Sequence, residues 1–178
     1  MPGLERTRLG RRAALALAAA GLAGCGFALR TPPNYAFRSV ILIAPESGGL
    51  RSAIKRTLEQ GGPLRVLPES ADRASADVLL EVPGETREKV VSGRNAAGQV
   101  REFVLRTRLR FRLRTSAGLE LMPMTELMAE REIGFVEQAA LAKEEEEALL
   151  YRDMRQDLVQ QMLRRLASVR DLQPPPAR

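Results

Sequence analysis

The sequence contains no histidine, no tryptophan and a single cysteine among its 178 residues. Structural and catalytic zinc sites draw mainly on cysteine and histidine, and nucleophilic hydrolases of the Ser-His or Cys-His type need an imidazole base. With no histidine and one cysteine, the chain lacks the residues for either kind of site. The glycine pairs at 48–49 and 61–62 match neither a P-loop nor a GxGxxG spacing. We therefore predict a protein that is not an enzyme and that needs no metal and no cofactor.

Aromatic residues make up only 4 % of the chain, which leaves few rings on which nucleic-acid bases could stack. The formal net charge of +6 is also unevenly distributed, because residues 1–24 contain four arginines and one glutamate and so carry +3 of it. The rest of the chain is only mildly basic. We predict no nucleic-acid partner.

The first 25 residues have the pattern of a lipoprotein signal. A basic start precedes the apolar run Ala13 to Leu22, which is shorter than the about 20 residues that span a bilayer. The following Leu22-Ala23-Gly24-Cys25 resembles a bacterial lipobox. We predict cleavage before Cys25 and acylation of that residue with N-acyl and S-diacylglycerol lipid, which anchors the protein to a membrane. The pair Arg11-Arg12 leaves both Sec and twin-arginine export open.

The most regular stretch of the chain, Val100 to Arg114, alternates between two kinds of side chain. Phe103, Leu105, Thr107, Leu109, Phe111 and Leu113 point one way, and Arg106, Arg108, Arg110, Arg112 and Arg114 point the other. A period of two residues predicts a long strand with one face in a core. The arginine face is either a solvated outer face of an antiparallel sheet or a face that binds anions or a partner.

The remaining elements are predicted from shorter patterns. Helices are expected where apolar residues recur every three or four positions, and strands where they run continuously or alternate. The predicted strands are 40–44, 64–67, 77–92 and 120–135, and the predicted helices are 50–60 and 144–169. We expect Glu144 to Glu147 to lie at the positive N-terminal end of the last helix. The predicted organisation is a signal peptide over 1–24, a tether over 25–37, one domain over 38–171 and a proline-rich tail over 172–178.

The turn after the arginine strand allows a prediction of register. If Ser116-Ala117-Gly118 is a three-residue hairpin loop, Arg114 faces Glu120 and Arg108 faces Glu126. The other three arginines then face methionines and lack acidic partners, which makes them candidate contacts for an acidic amphiphile or a partner protein. These three are Arg106, Arg110 and Arg112.

The order of these elements resembles the LptE family of lipopolysaccharide-assembly lipoproteins. The likeness rests on the sequence from Cys25 to Arg30 (CGFALR), on Arg94-Asn95-x-x-Gly98-Gln99 in a glycine-flanked loop, and on Ala140 to Lys143 (ALAK) before the acidic helix. The terminal helix, ending in residues 163–169 (LRRLASV), adds to it. The resemblance covers roughly all of the mature chain after the predicted cleavage, except the proline-rich tail.

The resemblance implies a fold and a role. The implied fold is an α+β two-layer sandwich, with two helices on one face of a four-stranded mixed, mostly antiparallel sheet. The implied role is a plug inside the outer-membrane β-barrel LptD, in a 1:1 heterodimer that faces the periplasm, is anchored in the inner leaflet of the outer membrane and binds lipopolysaccharide. By the same resemblance, Arg94 and Lys143 are the residues that contact lipopolysaccharide.

Two alternatives remain open from the residues alone. The first is a stand-alone periplasmic lipoprotein with a structural or tethering role, whose arginine face is only hydrated. The second is a cytosolic nucleic-acid binder whose N-terminus merely imitates a signal peptide, and labelling of Cys25 with palmitate would exclude it.

Overall fold

The computed structural model describes residues 34–136 and 140–172. The predicted signal peptide, Cys25, residues 26–33 of the predicted tether and residues 173–178 of the predicted tail lie outside the described residues. Five strands and two longer helices make up the described part of the chain. They are β1 (Ser39–Ile43), α1 (Leu50–Gln60), β2 (Arg65–Leu67), β3 (Val78–Arg94), β4 (Val100–Thr115), β5 (Glu120–Gly134) and α2 (Ala140–Ala167).

The strands form one mixed sheet with the spatial order β2-β1-β3-β4-β5. Strand β1 runs parallel to both β2 and β3, whereas β3, β4 and β5 form an antiparallel meander. The α+β class and the mostly antiparallel character are as predicted, but the expected count of four strands is wrong. The fifth strand is β2, since the register Ser39 to Arg65 continues through Ile41 to Leu67 and adds this short segment to the sheet edge.

Both helices pack on one face of the sheet, as predicted. Helix α1 buries Leu50, Ile54 and Leu58, which recur at the four-residue spacing of one helical face. The apolar stripe of α2 and the apolar side of β4 join them in a single hydrophobic cluster. The fully buried members from these two elements include Leu105, Leu109, Phe111, Leu113, Met154, Leu158, Met162 and Leu166.

Strand β1 is covered on both faces, which explains why its sequence is continuously apolar rather than alternating. Val40 and Leu42 belong to the main core under the helices. Ile41 faces the opposite side and packs with Ala76 and Leu79 in a second, smaller cluster. On the face of the sheet that carries no helix, this small cluster is apolar and shielded from solvent.

The predicted register of the β4–β5 hairpin holds only beside its turn. Arg114 does face Glu120, but Leu113 faces Met122 and Phe111 faces Thr125. Two irregularities therefore insert two extra residues into β5 within a few positions of the turn. Pairs farther from the turn are shifted, so Arg108 faces Met128, and the expected facing of Arg106 and Arg110 by methionines is wrong. The ion pair between Arg108 and Glu126 forms nevertheless, diagonally across the two strands.

Helix α2 starts earlier than its acidic residues. It begins at Ala140, so Ala140 to Lys143 form the first turn and this turn contains no acid. Glu144 to Glu147 lie in the second turn, and the expectation that they sit at the helix end is wrong. Two of these acids instead pair with lysines, Glu146 with Lys143 and Glu147 with Lys89. In the described part of the chain, no helix has the length and apolar character needed to cross a membrane.

Candidate functional site

The five alternating arginines of β4 lie on the face of the sheet that carries no helix. Their neighbours on that face are carboxylates from both flanking strands, Glu81 and Glu88 from β3 and Glu126 and Glu130 from β5. We call this set the arginine ladder, defined as Arg106, Arg108, Arg110, Arg112 and Arg114.

Strand β3 supplies the carboxylates that bind most of the ladder. The Nε and Nη2 atoms of Arg112 donate to Oε2 of Glu81 at 2.8 and 2.5 Å, and Arg114 donates to the other oxygen of the same carboxylate. Glu88 accepts from Arg106 and Arg108 in the same way. Each glutamate thus bridges two arginines that are two residues apart on β4.

Ion pairing keeps these glutamates ionised. The hydrogen bond from Arg108 is the main cause that lowers the pKa of Glu88. Burial acts to raise the pKa of Glu81, but the hydrogen bonds from Arg112 and Arg114 outweigh burial and the pKa is lowered. Charge-assisted hydrogen bonds of this kind favour the charged form. Most of the ladder is therefore a neutralised network and not a free cationic surface.

Arg110 is the exception within the ladder. It lies opposite Gly84 on β3, which has no side chain, and opposite Glu126 on β5. The carboxylate of Glu126 pairs instead with Arg108, whose Nε lies 3.6 Å from it. Among the described residues Arg110 has no ion-pair partner. Of the three candidate arginines named from the sequence, Arg106 and Arg112 are paired and Arg110 is available.

Arg94 is the last residue of β3, directly before the tight turn that joins β3 to β4. The turn is shorter than the predicted loop, because β3 continues to Arg94 and β4 begins at Val100. Asn95 closes it by accepting from the backbone N–H groups of Ala97 and Gln99 at 3.1 and 2.9 Å. The guanidinium of Arg94 donates through Nη1 to the carbonyl oxygen of Gly98 at 2.9 Å and has no carboxylate partner in the described part of the chain. Its remaining N–H groups face outward from a fixed turn.

Lys143 lies in a small apolar and charged pocket at the same end of the sheet. The pocket has a volume of about 160 Å³, and its lining combines two lysines, two glutamates and two aromatic rings with two smaller contacts: Lys89, Lys143, Glu144, Glu147, Phe103, Phe135, Ile133 and Gly134. The rings of Phe103 and Phe135 meet edge to face with their centroids 5.5 Å apart. The Nζ atom of Lys89 lies 4.5 Å from the centroid of Phe103, a cation–π contact. Two ammonium groups thus flank a pair of aromatic rings.

The structure brings Lys143 together with Lys89, a residue that the sequence analysis missed. Lys89 sits opposite Leu105 and therefore on the helix side of the sheet. Its signal in the sequence is the alternation of β3, which puts Glu85, Arg87 and Lys89 on one side. Arg94 belongs to the same end of the β3–β4 hairpin but does not line the pocket. We call Arg94, Lys89, Lys143 and the two phenylalanine rings the hairpin-end site.

Comparisons with known proteins agree on one family. The LptE family, described as lipopolysaccharide-assembly, matches residues 37–166. The solution structure of lipoprotein B from Nitrosomonas europaea is 30 % identical, covers 80 % of this chain and 91 % of its own, and has a TM-score of 0.68. Two crystal structures share the fold at lower identity. They are rare lipoprotein B from Shewanella oneidensis (19 % identity, 73 % and 94 % of the two chains, TM-score 0.62) and a minor lipoprotein from Acinetobacter baumannii (21 %, 82 % and 100 %, 0.61).

No curated protein matches the chain. The family match nevertheless covers most of the chain and nearly the whole described domain. The similar solved structures are lipoproteins by their own descriptions. This protein therefore belongs to the LptE family of bacterial envelope lipoproteins that act in lipopolysaccharide assembly.

Proposed function

We propose that this protein is a non-catalytic outer-membrane lipoprotein that forms the plug of the LptD β-barrel, assists the assembly of that barrel and binds lipopolysaccharide during its insertion into the outer leaflet. The observation that carries the proposal is the match of the LptE family over residues 37–166. In this proposal Cys25 holds the lipid anchor in the inner leaflet, and the domain forms a 1:1 heterodimer with LptD.

The hairpin-end site supports the part of the proposal that concerns lipopolysaccharide. Lipopolysaccharide combines phosphate groups with acyl chains, so a site for it needs cations beside apolar surface. Lys89 and Lys143 supply two ammonium groups beside the rings of Phe103 and Phe135. Each lysine also has a glutamate partner, Glu147 and Glu146 respectively, so a bound phosphate group would compete with these carboxylates. Arg94 adds a guanidinium at the same end of the hairpin, and guanidinium groups bind phosphate oxygens in paired hydrogen bonds.

The partner is tested by purifying the lipidated protein from its native envelope in mild detergent. We expect an outer-membrane barrel to co-purify at equal stoichiometry, and depletion of the lipoprotein to lower the amount of correctly assembled barrel. Recovery of the lipoprotein alone, under detergent that keeps known barrel complexes intact, would refute the plug role. An unchanged barrel level after depletion would refute the assembly role.

The ligand site is tested by charge reversal. Arg94→Glu and Lys143→Glu are each expected to weaken binding of purified lipopolysaccharide by about tenfold, the effect of losing one charge-assisted hydrogen bond. Lys55→Glu is a matched control, because Lys55 is also a helical lysine with a glutamate partner one turn away, Glu59. Equal effects of Lys143→Glu and Lys55→Glu would show that only the overall charge matters.

The neutralised arginine ladder favours a second candidate function, a stand-alone periplasmic lipoprotein with a structural or tethering role. Four of the five ladder arginines already have carboxylate partners. Replacement of Arg106, Arg110 and Arg112 by glutamine would leave binding to barrel and glycolipid unchanged in this case. A loss of either binding would instead support a ladder that contacts the partner or the ligand.

A further inference from the structure

A cleft of about 640 Å³ lies away from the hairpin-end site, at the junction of β1, β3 and α2. One wall is the turn after β1, with Pro45, Ser47 and Gly48, and a second is the irregular point of β3 at Pro83 and Gly84. Helix α2 closes the cleft with Ala148, Arg152 and Arg155. Its volume falls within the range of small-molecule sites in proteins, about 300 to 1,000 Å³.

Two glycines shape the walls of this cleft. Gly48 has φ 73° and Gly84 has φ 150°, values that residues with a side chain rarely adopt. An added Cβ on Gly84 would make an ordinary contact with Pro45 at 3.9 Å. The two glycines therefore matter for the backbone conformation of the walls rather than for the free space between them.

The charged lining of the cleft is basic. Three arginines, Arg87, Arg152 and Arg155, lie against one carboxylate, Glu85, which leaves a lining charge of +2. Glu85 is engaged by Arg155 through Nε at 2.7 Å and Nη2 at 2.6 Å, and by Arg87 at 2.6 Å. These contacts hold two guanidinium groups in fixed positions.

Arg152 is not part of that network. It is exposed, it lines the cleft, and within the described ranges it makes no hydrogen bond or ion pair. Ser47, also exposed, adds a hydroxyl on the opposite wall. The cleft thus presents one free guanidinium beside two that are fixed and only partly neutralised.

We propose that this cleft binds a phosphate monoester group, whose double negative charge matches the net charge of the lining. Planar guanidinium groups suit phosphate oxygens because they donate two parallel hydrogen bonds. Arg152 is the principal ligand, Arg87 and Arg155 supply the surrounding positive field, and Glu85 limits the affinity by competing for both of them. The cleft shares no residue with the hairpin-end site, so this proposal does not depend on lipopolysaccharide binding there.

The test is an NMR titration of the full chain, ¹⁵N-labelled and purified in detergent. The amide signals of Gly48, Gly49 and Gly84 report on the cleft, and inorganic phosphate is the first probe, with sodium chloride at equal ionic strength as the reference. We expect saturable shifts with phosphate only. Arg152→Gln is expected to weaken binding by about tenfold and Glu85→Gln to tighten it, because the latter raises the lining charge to +3.

Arg164→Gln serves as the matched control, since Arg164 is an exposed arginine on the same helix and is outside the cleft. Thermal unfolding of each variant establishes that the fold is kept. A second titration with detergent micelles that contain phosphatidic acid, against micelles of phosphatidylcholine, identifies the source of the phosphate. Saturable shifts with inorganic phosphate support a free phosphate ligand, and shifts only with phosphatidic acid support a lipid headgroup.

Two results would overturn the proposal. One is the absence of saturable shifts with both probes. The other is binding that Arg152→Gln leaves as strong as Arg164→Gln does, since the phosphate would then bind elsewhere or only through the overall charge of the protein. Loss of lipopolysaccharide binding in the Arg94 and Lys143 variants leaves the phosphate titration unaffected, which separates this proposal from the preceding one.

Discussion

The ion pair between Glu85 and Arg155 joins α2 to β3, and breaking it is expected to destabilise the domain measurably. Both side chains are largely buried, with 12 % and 13 % of their surface exposed. The guanidinium donates two parallel hydrogen bonds to the carboxylate, at 2.7 and 2.6 Å. Burial acts to raise the pKa of Glu85, but the hydrogen bonds from Arg155 outweigh burial and the pKa is lowered. The carboxylate is therefore ionised in the folded protein at neutral pH.

The size of the effect follows from this geometry. A hydrogen bond to a charged group contributes about 1.5 to 3 kcal/mol, and breaking a fully buried pair costs about 3 to 5 kcal/mol. Glu85 keeps Arg87 as a second partner when Arg155 is replaced, which reduces the loss. We expect Arg155→Met, which keeps most of the apolar stem, to lower the free energy of unfolding by about 2 kcal/mol.

A double-mutant cycle separates the pair from its surroundings. The free energies of unfolding of Arg155→Met, Glu85→Gln and the double variant are measured in urea by far-UV circular dichroism, and a coupling energy of about 2 kcal/mol is expected. The ion pair between Arg131 and Asp157 is the matched control, because it also joins a strand to α2 but is 45 % and 55 % exposed. A coupling of about 0.5 kcal/mol is expected there. Equal coupling in the two cycles would refute the argument from burial.

Phe111 is fully buried, so Phe111→Ala is expected to lower the free energy of unfolding by about 3 to 5 kcal/mol in urea titrations, and a loss below about 1 kcal/mol would contradict its place in the core. Gly118 has φ 91° with no atom within 4 Å of an added Cβ, so Gly118→Ala is expected to cost about 1 kcal/mol from backbone strain alone. Gly134 has the same open space without a positive φ, and Gly134→Ala is expected to change stability by less than about 0.5 kcal/mol; equal costs would show that strain is not the cause. The hydrogen bond from Arg108 is the main cause that lowers the pKa of Glu88 below its ordinary value of 4.5. At a pH near or below 4.5, the unfolded state therefore binds more protons than the folded state does. The melting temperature should therefore stay constant above about pH 4.5 and fall as the pH is lowered further. In Arg108→Gln this fall of the melting temperature with pH should be smaller.

The sequence predicted the strand β4 and its two faces well, because the alternation runs without interruption through the apolar and basic positions. An alternation of this length is compatible with few arrangements, since a shift of one residue would turn every arginine into the core. The structure confirms it, with Leu105, Leu109, Phe111 and Leu113 fully buried under the helices. The short strand β2 was also predicted, from the apolar run over 64–67, and the wrong count of four strands came from the family resemblance.

The partners of Arg106, Arg110 and Arg112 were predicted wrongly for two physical reasons. The first is Pro123, which has no backbone N–H to donate to a neighbouring strand. Proline therefore commonly marks an edge or an irregular point of a strand. Pro123 lies where β5 gains extra residues, between the partners of Leu113 and Phe111. The second is that β4 has two neighbouring strands, and the predicted partners of its arginines came from β5 alone. Glu81 and Glu88 come from β3, on the other flank of the ladder.

The two residues assigned to ligand binding by family resemblance differ in how the structure presents them. Lys143 lies in a pocket with Lys89 and two aromatic rings, an arrangement that no local pattern encodes because it joins β3, β4 and α2. Arg94 lies beside a turn in which Asn95 accepts local hydrogen bonds from backbone N–H groups, and these follow from the sequence. Local turn chemistry was therefore within reach of sequence reasoning, whereas the contacts of a helix with a sheet were not.

Arg110 shows how an irregular strand creates a free charge inside a neutralised network. The residues that face it on β3 and β5 are Gly84 and Glu126. The register of β3 shifts between Glu81 and Gly84, so Arg110 faces Gly84 where the regular spacing would have placed Pro83, and neither residue offers a charge. Glu126 pairs with Arg108 at 3.6 Å. The irregular point of β3 thus lines the cleft on the helix side through Pro83 and Gly84 and gives Arg110 no partner on the opposite side.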